Sequence, residues 1–175
     1  MKYTPEQFTM PRYREIPNIG LFLEQTVKYI NVTLSALGCM EITSSMISNY
    51  VKKGYIKRPI RKQYDAEQIA KLIFITVAKS ALVMEHIKRL MDKLDEEMTF
   101  ERAYNYFSGQ LEEAVYEHFG IQREETGEES DIEEADSVRM MKSVISAAGN
   151  IIYLHSCFAE YESEKYSDYI KRCDT

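Results

Sequence analysis

The sequence predicts a mostly helical protein, and three observations support this fold class. Apolar residues recur at intervals of three and four over most of the chain, as they do on the buried face of an α-helix. Thr43, Asp65 and Thr99 each precede such a segment, and all three are good N-cap residues. Only 7 glycines and 4 prolines interrupt the 175 residues. With 45% hydrophobic residues, the chain can bury one good-sized core or two small ones.

An N-terminal arm and a first helix are predicted at the start of the chain. Residues 1–17 contain three of the prolines and no sustained apolar period, so we expect an arm with one short capped turn at Thr4–Gln7. From about Ile19 to Leu37 the apolar spacing indicates a helix, and Gly38 is a natural end for it.

A second helix is predicted from the Thr43 cap to Gly54. At 100° per residue, one side of it carries the apolar residues Met46, Ile47, Tyr50 and Val51. The opposite side carries Ser45, Ser48, Asn49 and Lys52. One face would therefore pack against the core, while the other would offer hydrogen bonds to a partner.

The segment after the second helix is predicted to form a minimal β-hairpin. Tyr55-Ile56 and Arg61–Tyr64 are the β-prone arms, and Pro59 marks the turn between them. Two cations lie on each side of Pro59. We interpret this hairpin, at about residues 55–64, as a basic wing beside the second helix.

Two further helices are predicted before an acidic linker. Asp65 and Gln68 resemble a capping box and open one long helix that continues to about Asp95. Thr99 begins the next helix, which has an aromatic stripe and ends at Gly120.

The last part of the chain is predicted to be a linker and a helix with a broad apolar face. The linker, residues 121–131, opens an acidic stretch that lacks the residue order of an EF-hand calcium loop, so we expect it to be solvated. A capping box at Ser130–Glu133 would open a helix that runs to about Tyr161. A short amphipathic turn or tail would follow.

Charge is distributed unevenly along the chain. The formal net charge is −6. Residues 1–91 hold 14 Lys and Arg against 7 Asp and Glu, and residues 92–175 hold 8 against 21. Such asymmetry is typical of a nucleic-acid-facing part joined to an acidic remainder, although two differently solvated surfaces would give the same counts.

No motif in the sequence indicates catalysis, a cofactor or a metal. Phosphate-binding, dinucleotide-binding, nucleophile-elbow and zinc-protease patterns are missing, and His86, His118 and His155 lack partners at ligand spacing. We therefore expect no enzyme, no catalytic residue, no cofactor and no metal site. The odd set Cys39, Cys157 and Cys173 favours a reduced, cytoplasmic setting, and no apolar run is long enough to span a membrane.

Nucleic-acid binding is the function that the sequence favours. A helix with small polar side chains can enter a major groove, and cations beside it can neutralise phosphates. The candidate DNA-binding residues are Ser45, Ser48, Asn49, Tyr50, Lys52, Lys53, Lys57, Arg58, Arg61 and Lys62. The alternative for any one lysine is ordinary solubility.

Two family resemblances follow from these residues. The stretches TSSMISNYVKKGYI and RKQYDAEQIAKLIFI resemble the winged helix-turn-helix of MerR-type bacterial regulators. The positions typical of that family are Ile47, Tyr50, Lys53, Gly54, Ile56, Tyr64 and Asp65. Over roughly Ile16 to Met91 the chain resembles more closely an uncharacterised bacterial family of domains of unknown function that share the NYVKKGYI pattern.

The MerR resemblance implies a fold, a partner and an oligomeric state. It implies a mostly helical chain with a winged helix-turn-helix and a minimal hairpin wing, followed by a helical bundle. Relatives of this kind dimerise through a long helix after the wing, which Ile69–Asp95 could supply. Ser48-Asn49 stands where such regulators usually have an arginine, the wing is shorter, and the turn after the first helix is wide.

We therefore expect an arm at 1–17, a DNA-binding domain at 18–95 and an acidic helical domain at 96–175. The expected protein is a transcriptional regulator that binds double-stranded DNA as a homodimer. One alternative is a protein-interaction module on the same scaffold that does not bind DNA. A further alternative is a ligand pocket between aromatic helices, with an unknown effector; its candidate lining is Tyr104, Phe107, Tyr116, Phe119, Tyr153 and Phe158.

Overall fold

The computed structural model describes residues 8–122 and 135–173, with side chains described as far as residue 162. Six helices and two short strands are found in these residues, and the mostly helical fold class is confirmed. The helices are α1 (Leu23–Leu34), α2 (Ser44–Lys52), α3 (Ala66–Ala78), α4 (Met84–Glu97), α5 (Phe100–His118) and α6 (Asp136–Cys173), and the strands are β1 (Leu21–Phe22) and β2 (Gln63–Tyr64).

Helices α1 and α2 form a pair whose connection is fixed by one side chain. Asn31 of α1 accepts a hydrogen bond from the Ile42 N–H through Oδ1 and donates one to the Ile42 carbonyl through Nδ2, both at 2.9 Å. Thr43 caps α2 as predicted, since its hydroxyl accepts from the Met46 N–H. The loop that sets the angle of α2 is therefore held by paired hydrogen bonds rather than by packing alone.

The predicted wing is only partly correct. The strand β2 pairs with β1 in antiparallel register, Leu21 opposite Tyr64 and Phe22 opposite Gln63. Tyr55 and Ile56 are not its partner, because their N–H groups donate to the Tyr50 carbonyl at the end of α2. A helix end leaves carbonyl groups unsatisfied, and these two residues satisfy one of them instead of forming a strand.

The single long helix predicted from Asp65 to Asp95 is wrong, because the chain turns between α3 and α4. Lys79 and Ser80 stand where the apolar stripe would need core residues. The hydroxyl of Ser80 donates to the Val77 carbonyl at 2.8 Å, and Val83 is extended before α4 begins. Almost every residue of α3 is buried, whereas α4 buries only one face. The turn lets α3 and α4 run in different directions, so that α3 is enclosed by the core while α4 keeps one face in solvent.

The N-terminal arm packs along α5. Two side chains of α5 bind the backbone of the arm: Asn105 accepts from the Tyr13 N–H at 2.8 Å, and Tyr116 donates to the Phe8 carbonyl at 2.6 Å. Phe8, Met10 and Ile16 are buried. They belong to one hydrophobic cluster that includes residues of all six helices.

Some predicted features fall outside the described residues or differ in extent. The turn at Thr4–Gln7 and the capping box at Ser130–Glu133 lie outside them. Helix α6 continues to Cys173, so the tail predicted after Tyr161 is helical instead. Among the described residues, no helix is both long enough and apolar enough to cross a membrane.

Candidate nucleic-acid interface

The structure places nine of the ten candidate DNA-binding residues on the surface and one in the core. The exposed residues are Ser45, Ser48, Asn49, Lys52, Lys53, Lys57, Arg58, Arg61 and Lys62. Tyr50 is only 3% exposed, and its ring lies edge-on to Tyr55 at 6.4 Å. Because Tyr50 falls on the packing side of α2, it serves the core and offers no surface to DNA.

The outer face of α2 presents small polar groups. Ser45 and Thr43 share a hydrogen bond between their hydroxyl groups at 3.0 Å, and Ser44 donates to Glu24 of α1 at 2.7 Å. Ile47 and Tyr50 anchor the opposite face in the core. Since the helix is fixed on both sides, its exposed serines, asparagine and lysine keep one orientation.

A tight turn carries the cations that follow α2. We call Lys57–Lys62 the basic loop. The Gln63 N–H donates to the Ile60 carbonyl at 2.9 Å, which closes a turn with Arg61 and Lys62 at its centre. Both central residues have positive φ, 50° and 65°, as a type I′ turn requires. Arg61 and Lys62 are consequently at the tip, in a conformation that usually selects glycine or asparagine.

The basic loop is fixed to α3 by Gln68. The side-chain amide of Gln68 donates to the Lys57 carbonyl at 2.8 Å, and its oxygen accepts from the Asp65 N–H at 3.0 Å. Gln68 is 6% exposed, so these bonds are shielded from water. Gln68, which forms the capping box of α3 together with Asp65, thereby also sets the position of the loop.

The cations of this region are not neutralised by neighbouring acids. Lys52, Lys53, Lys57, Arg58, Arg61 and Lys62 form no ion pair with any carboxylate of the described residues. The charge of Lys57 does act on one acid, Glu67. The pKa of Glu67 is lowered, first by the hydrogen bond from Lys71 and to a smaller degree by the charge of Lys57. The positive potential of the loop therefore stays available to an anion.

Two exposed apolar side chains accompany the cations: Ile60 within the basic loop and Phe22 beside it. Ile60 is bridged to Gln63, and Gln63 is paired with Phe22. Paired residues project from the same face of a sheet, so Ile60, Gln63 and Phe22 share one face. Ile60 is 76% exposed and Phe22 is 51% exposed. The surface is thus mixed, with cations at the turn and apolar groups next to it.

Glu112 is a buried carboxylate on a side of α5 where the apolar spacing predicts solvent. The spacing puts it on the wet side of α5, yet it is 6% exposed. It accepts from the Met10 N–H at 2.7 Å and from Arg12 at 3.1 Å. An arm without periodicity gives no signal of where it will pack, so the burial of Glu112 could not be read from α5 alone.

The aromatic residues proposed to line a pocket are divided between core and surface. Tyr104, Phe107 and Tyr116 are buried in the hydrophobic interior, whereas Phe158 is 64% exposed. Phe119 and Tyr153 contact each other edge-on at 5.5 Å. The burial of Tyr104 raises the pKa of its hydroxyl group. These six residues do not share one environment.

No histidine of the described residues belongs to a cluster that could hold a metal ion. His118 bonds the Ala114 carbonyl and Asn150, at 2.6 and 3.1 Å. In the part of the chain that the structure describes, no group of three or more His, Cys, Asp or Glu is arranged to hold a metal ion.

Fold and surface together define a mostly helical protein with a two-stranded sheet and a cationic loop beside a polar helix. The chain belongs to the family described as Domain of unknown function (DUF1836), whose model matches residues 11–119. That match covers α1 to α5, the basic loop and the last seven residues of the arm. No curated protein and no solved structure matches the chain.

Proposed function

We propose that this protein is a DNA-binding transcriptional regulator that uses α2 and the basic loop. The observation that carries the proposal is a set of exposed cations, Lys52 to Lys62, that have no ion pair within the described residues and lie next to the polar face of a rigidly held helix. Because fixed cations release condensed counterions when they approach phosphates, such a set favours a polyanion. A cytoplasmic setting is part of the proposal.

The two parts of the interface would contribute differently. Ser45, Ser48 and Asn49 are short and can hydrogen-bond base edges or phosphate oxygens in the major groove. The lysines at the end of α2 and the basic loop would hold the adjacent backbone, which sets position without reading sequence. Discrimination between sequences therefore rests on three small side chains, and we expect it to be modest.

The resemblance to MerR-type winged helices supports the same proposal. The structure contains, in this order, a helix pair, the basic loop, the strand that ends in Tyr64, and a helix capped by Asp65. Leu21–Phe22 takes the place of Tyr55-Ile56 as the strand beside the loop. The proposed wing is therefore the basic loop itself.

The salt dependence of DNA binding is the first test. If about four cations contact phosphates, affinity should fall roughly 100-fold between 50 and 200 mM salt. Arg61→Gln should weaken binding to all sequences and lower the slope of log affinity against log salt by about 1. Fluorescence anisotropy with duplex DNA at several salt concentrations measures both quantities.

A matched substitution controls for net charge. Lys142→Gln removes one exposed cation from α6, away from the proposed interface, and should leave affinity and slope unchanged. No retention of DNA at 50 mM salt, or an equal effect of the two substitutions, would contradict the proposal.

The apolar side chains beside the loop favour one competing function. Exposed Ile60 and Phe22 are typical of protein contacts rather than phosphate contacts. A protein-interaction module would lose its partner on Ile60→Ser and tolerate Arg61→Gln, whereas a DNA-binding protein would show the reverse. Comparing these two variants in a DNA-binding assay and in a partner pull-down separates the two functions.

A further inference from the structure

Helix α6 carries an apolar stripe whose C-terminal half is left exposed by the described residues. We call it the α6 seam: Val144, Ala147, Ile151, Leu154, Phe158 and Tyr161. Successive members are three and four residues apart in strict alternation. This 3.5-residue period is the repeat of supercoiled helix pairs and differs from the 3.6-residue period of a straight helix.

The exposure of the seam increases along the helix. Val144 is 5% exposed, whereas Leu154, Phe158 and Tyr161 are 52%, 64% and 72% exposed. The aromatic contact of Tyr153 with Phe119 lies next to the end of α5. Beyond Ile152 no residue of α6 is buried as far as Glu162, where the described side chains end. The C-terminal part of the seam thus extends past the helix that covers its start.

Most of the seam lies in a stretch without fixed charge, and Glu160 and Glu162 flank only its last residue, Tyr161. From Ser143 to Ala159 the sequence has no Asp, Glu, Lys or Arg, although 29% of the chain is charged. The residues on its outer flank, Ser143, Asn150 and Cys157, are small or neutral. A helix surface that is exposed, uncharged and apolar is a poor match to water and a good match to another helix.

We infer that the α6 seam is a self-association surface on which a second copy of this chain packs through its own α6. A second copy supplies a helix with the same 3.5-residue repeat, so its side chains fit between those of the first along the whole contact. The chain has a formal net charge of −6, so two copies repel each other overall, whereas α6 holds five acidic and five basic residues and is neutral. The uncharged stretch is the part where that repulsion is smallest.

Sedimentation equilibrium of the full chain tests this surface. The wild-type protein should have the mass of a dimer at micromolar concentrations. Leu154→Glu/Phe158→Glu should raise the dimer dissociation constant by about 100-fold or more, because carboxylates would have to be buried against each other. Ser146→Glu adds a carboxylate to the solvated side of the same helix and should leave the dissociation constant unchanged.

A wild-type protein that stays monomeric throughout, or a double variant that associates as tightly as the wild type, would overturn the inference. Circular dichroism keeps the comparison valid, since the double variant should retain its helicity and melting as a monomer. If it does not fold, spin labels on Cys157, with Cys39 and Cys173 replaced by serine, give a second measurement. Pulsed electron resonance should then show a short distance between copies, and no such distance would overturn the inference. The association needs no DNA, so these experiments test it independently of the proposed DNA binding.

Discussion

Arg61 and Lys62 adopt a backbone conformation that disfavours their own side chains. Left-handed residues other than glycine cost about 1–2 kcal/mol each, and asparagine tolerates the conformation better than most. The structure nevertheless places two long cations at this turn. Strain of this kind is found where the surroundings enforce it and often where a site needs it.

The strained turn gives a prediction in which stability and binding change in opposite directions. Arg61→Asn/Lys62→Gly supplies the residues that a type I′ turn prefers, so the free energy of unfolding should rise by about 1–2 kcal/mol. DNA affinity should fall, since two cations are lost. Urea denaturation and anisotropy measure the two effects. Arg58→Asn is the control: it should weaken DNA binding without a gain in stability, and a gain equal to that of the double variant would contradict the role of the turn.

Glu112 gives a second prediction at the scale of single residues. Glu112→Ala would leave the buried Met10 N–H without its acceptor and Arg12 without its partner. We expect a loss of about 2–3 kcal/mol, below the range for fully buried ion pairs because the Arg12 side chain is 32% exposed. Glu117→Ala, on the exposed side of α5, should change stability by less than about 0.5 kcal/mol. Equal losses would show that the arm is not held by the carboxylate.

Single residues of α2 were well predicted from the sequence, and the reason is local. The Thr43 cap and the two faces of the helix depend on spacing alone, and four of the five candidate residues in α2 lie on the surface. Tyr50 was the exception: its spacing had already assigned it to the packing face of α2, and it is buried there. The binding roles of these residues stay predictions.

At the scale of elements, Lys71 joins three helices. Its ammonium group lies 2.9 Å from Glu67 of α3 and 3.4 Å from Asp95 of α4, and it is 4.8 Å from the ring centre of Phe100, the first residue of α5. Burial alone would lower the pKa of Lys71, but the two carboxylates outweigh burial and raise it. The group therefore stays charged inside a largely enclosed site.

The ion pair of Lys71 predicts how stability depends on pH. The hydrogen bond from Lys71 lowers the pKa of Glu67 from its ordinary 4.5. A lowered carboxylate pKa contributes stability that is present above pH 4.5 and is lost as the pH falls through the folded-state pKa. Lys71→Met should thus lower the free energy of unfolding at neutral pH and make its dependence on acid pH shallower. The expected loss is only about 1 kcal/mol, because both carboxylates are 43% exposed and partly screened.

Thermal unfolding between pH 3 and 7 measures this difference. Lys88→Met removes the exposed pair with Asp92 on α4 and serves as the control, since such pairs contribute close to nothing. Parallel pH profiles for the wild type and Lys71→Met would contradict the assignment.

The break between α3 and α4 shows why helix boundaries were harder to predict than helices. The apolar stripe resumes at Val83 after Thr76, a spacing that a continuous helix would also give. Only two residues, Lys79 and Ser80, disagree with it. The sheet was harder still, because strands of two residues carry no period and β1 is separated from β2 by the whole of α1 and α2.

At the scale of the whole molecule, one core extends from Phe8 to Ile152. Phe74 of α3 contacts Phe107 of α5 edge-on, with ring centres 5.0 Å apart. The boundary at residue 95 stays a prediction, with core residues on both sides of it. The asymmetry of charge was readable from composition, but composition does not tell how the two halves pack.

The arm along α5 has a practical consequence for recombinant work on the family. A polypeptide trimmed to the matched residues 11–119 would lack Phe8 and Met10, both of which are inside the core, and it would also lack α6. Such a fragment would expose the core residues that Phe8 and Met10 cover. Expression should therefore start ahead of Phe8, and an affinity tag is better placed at the other terminus.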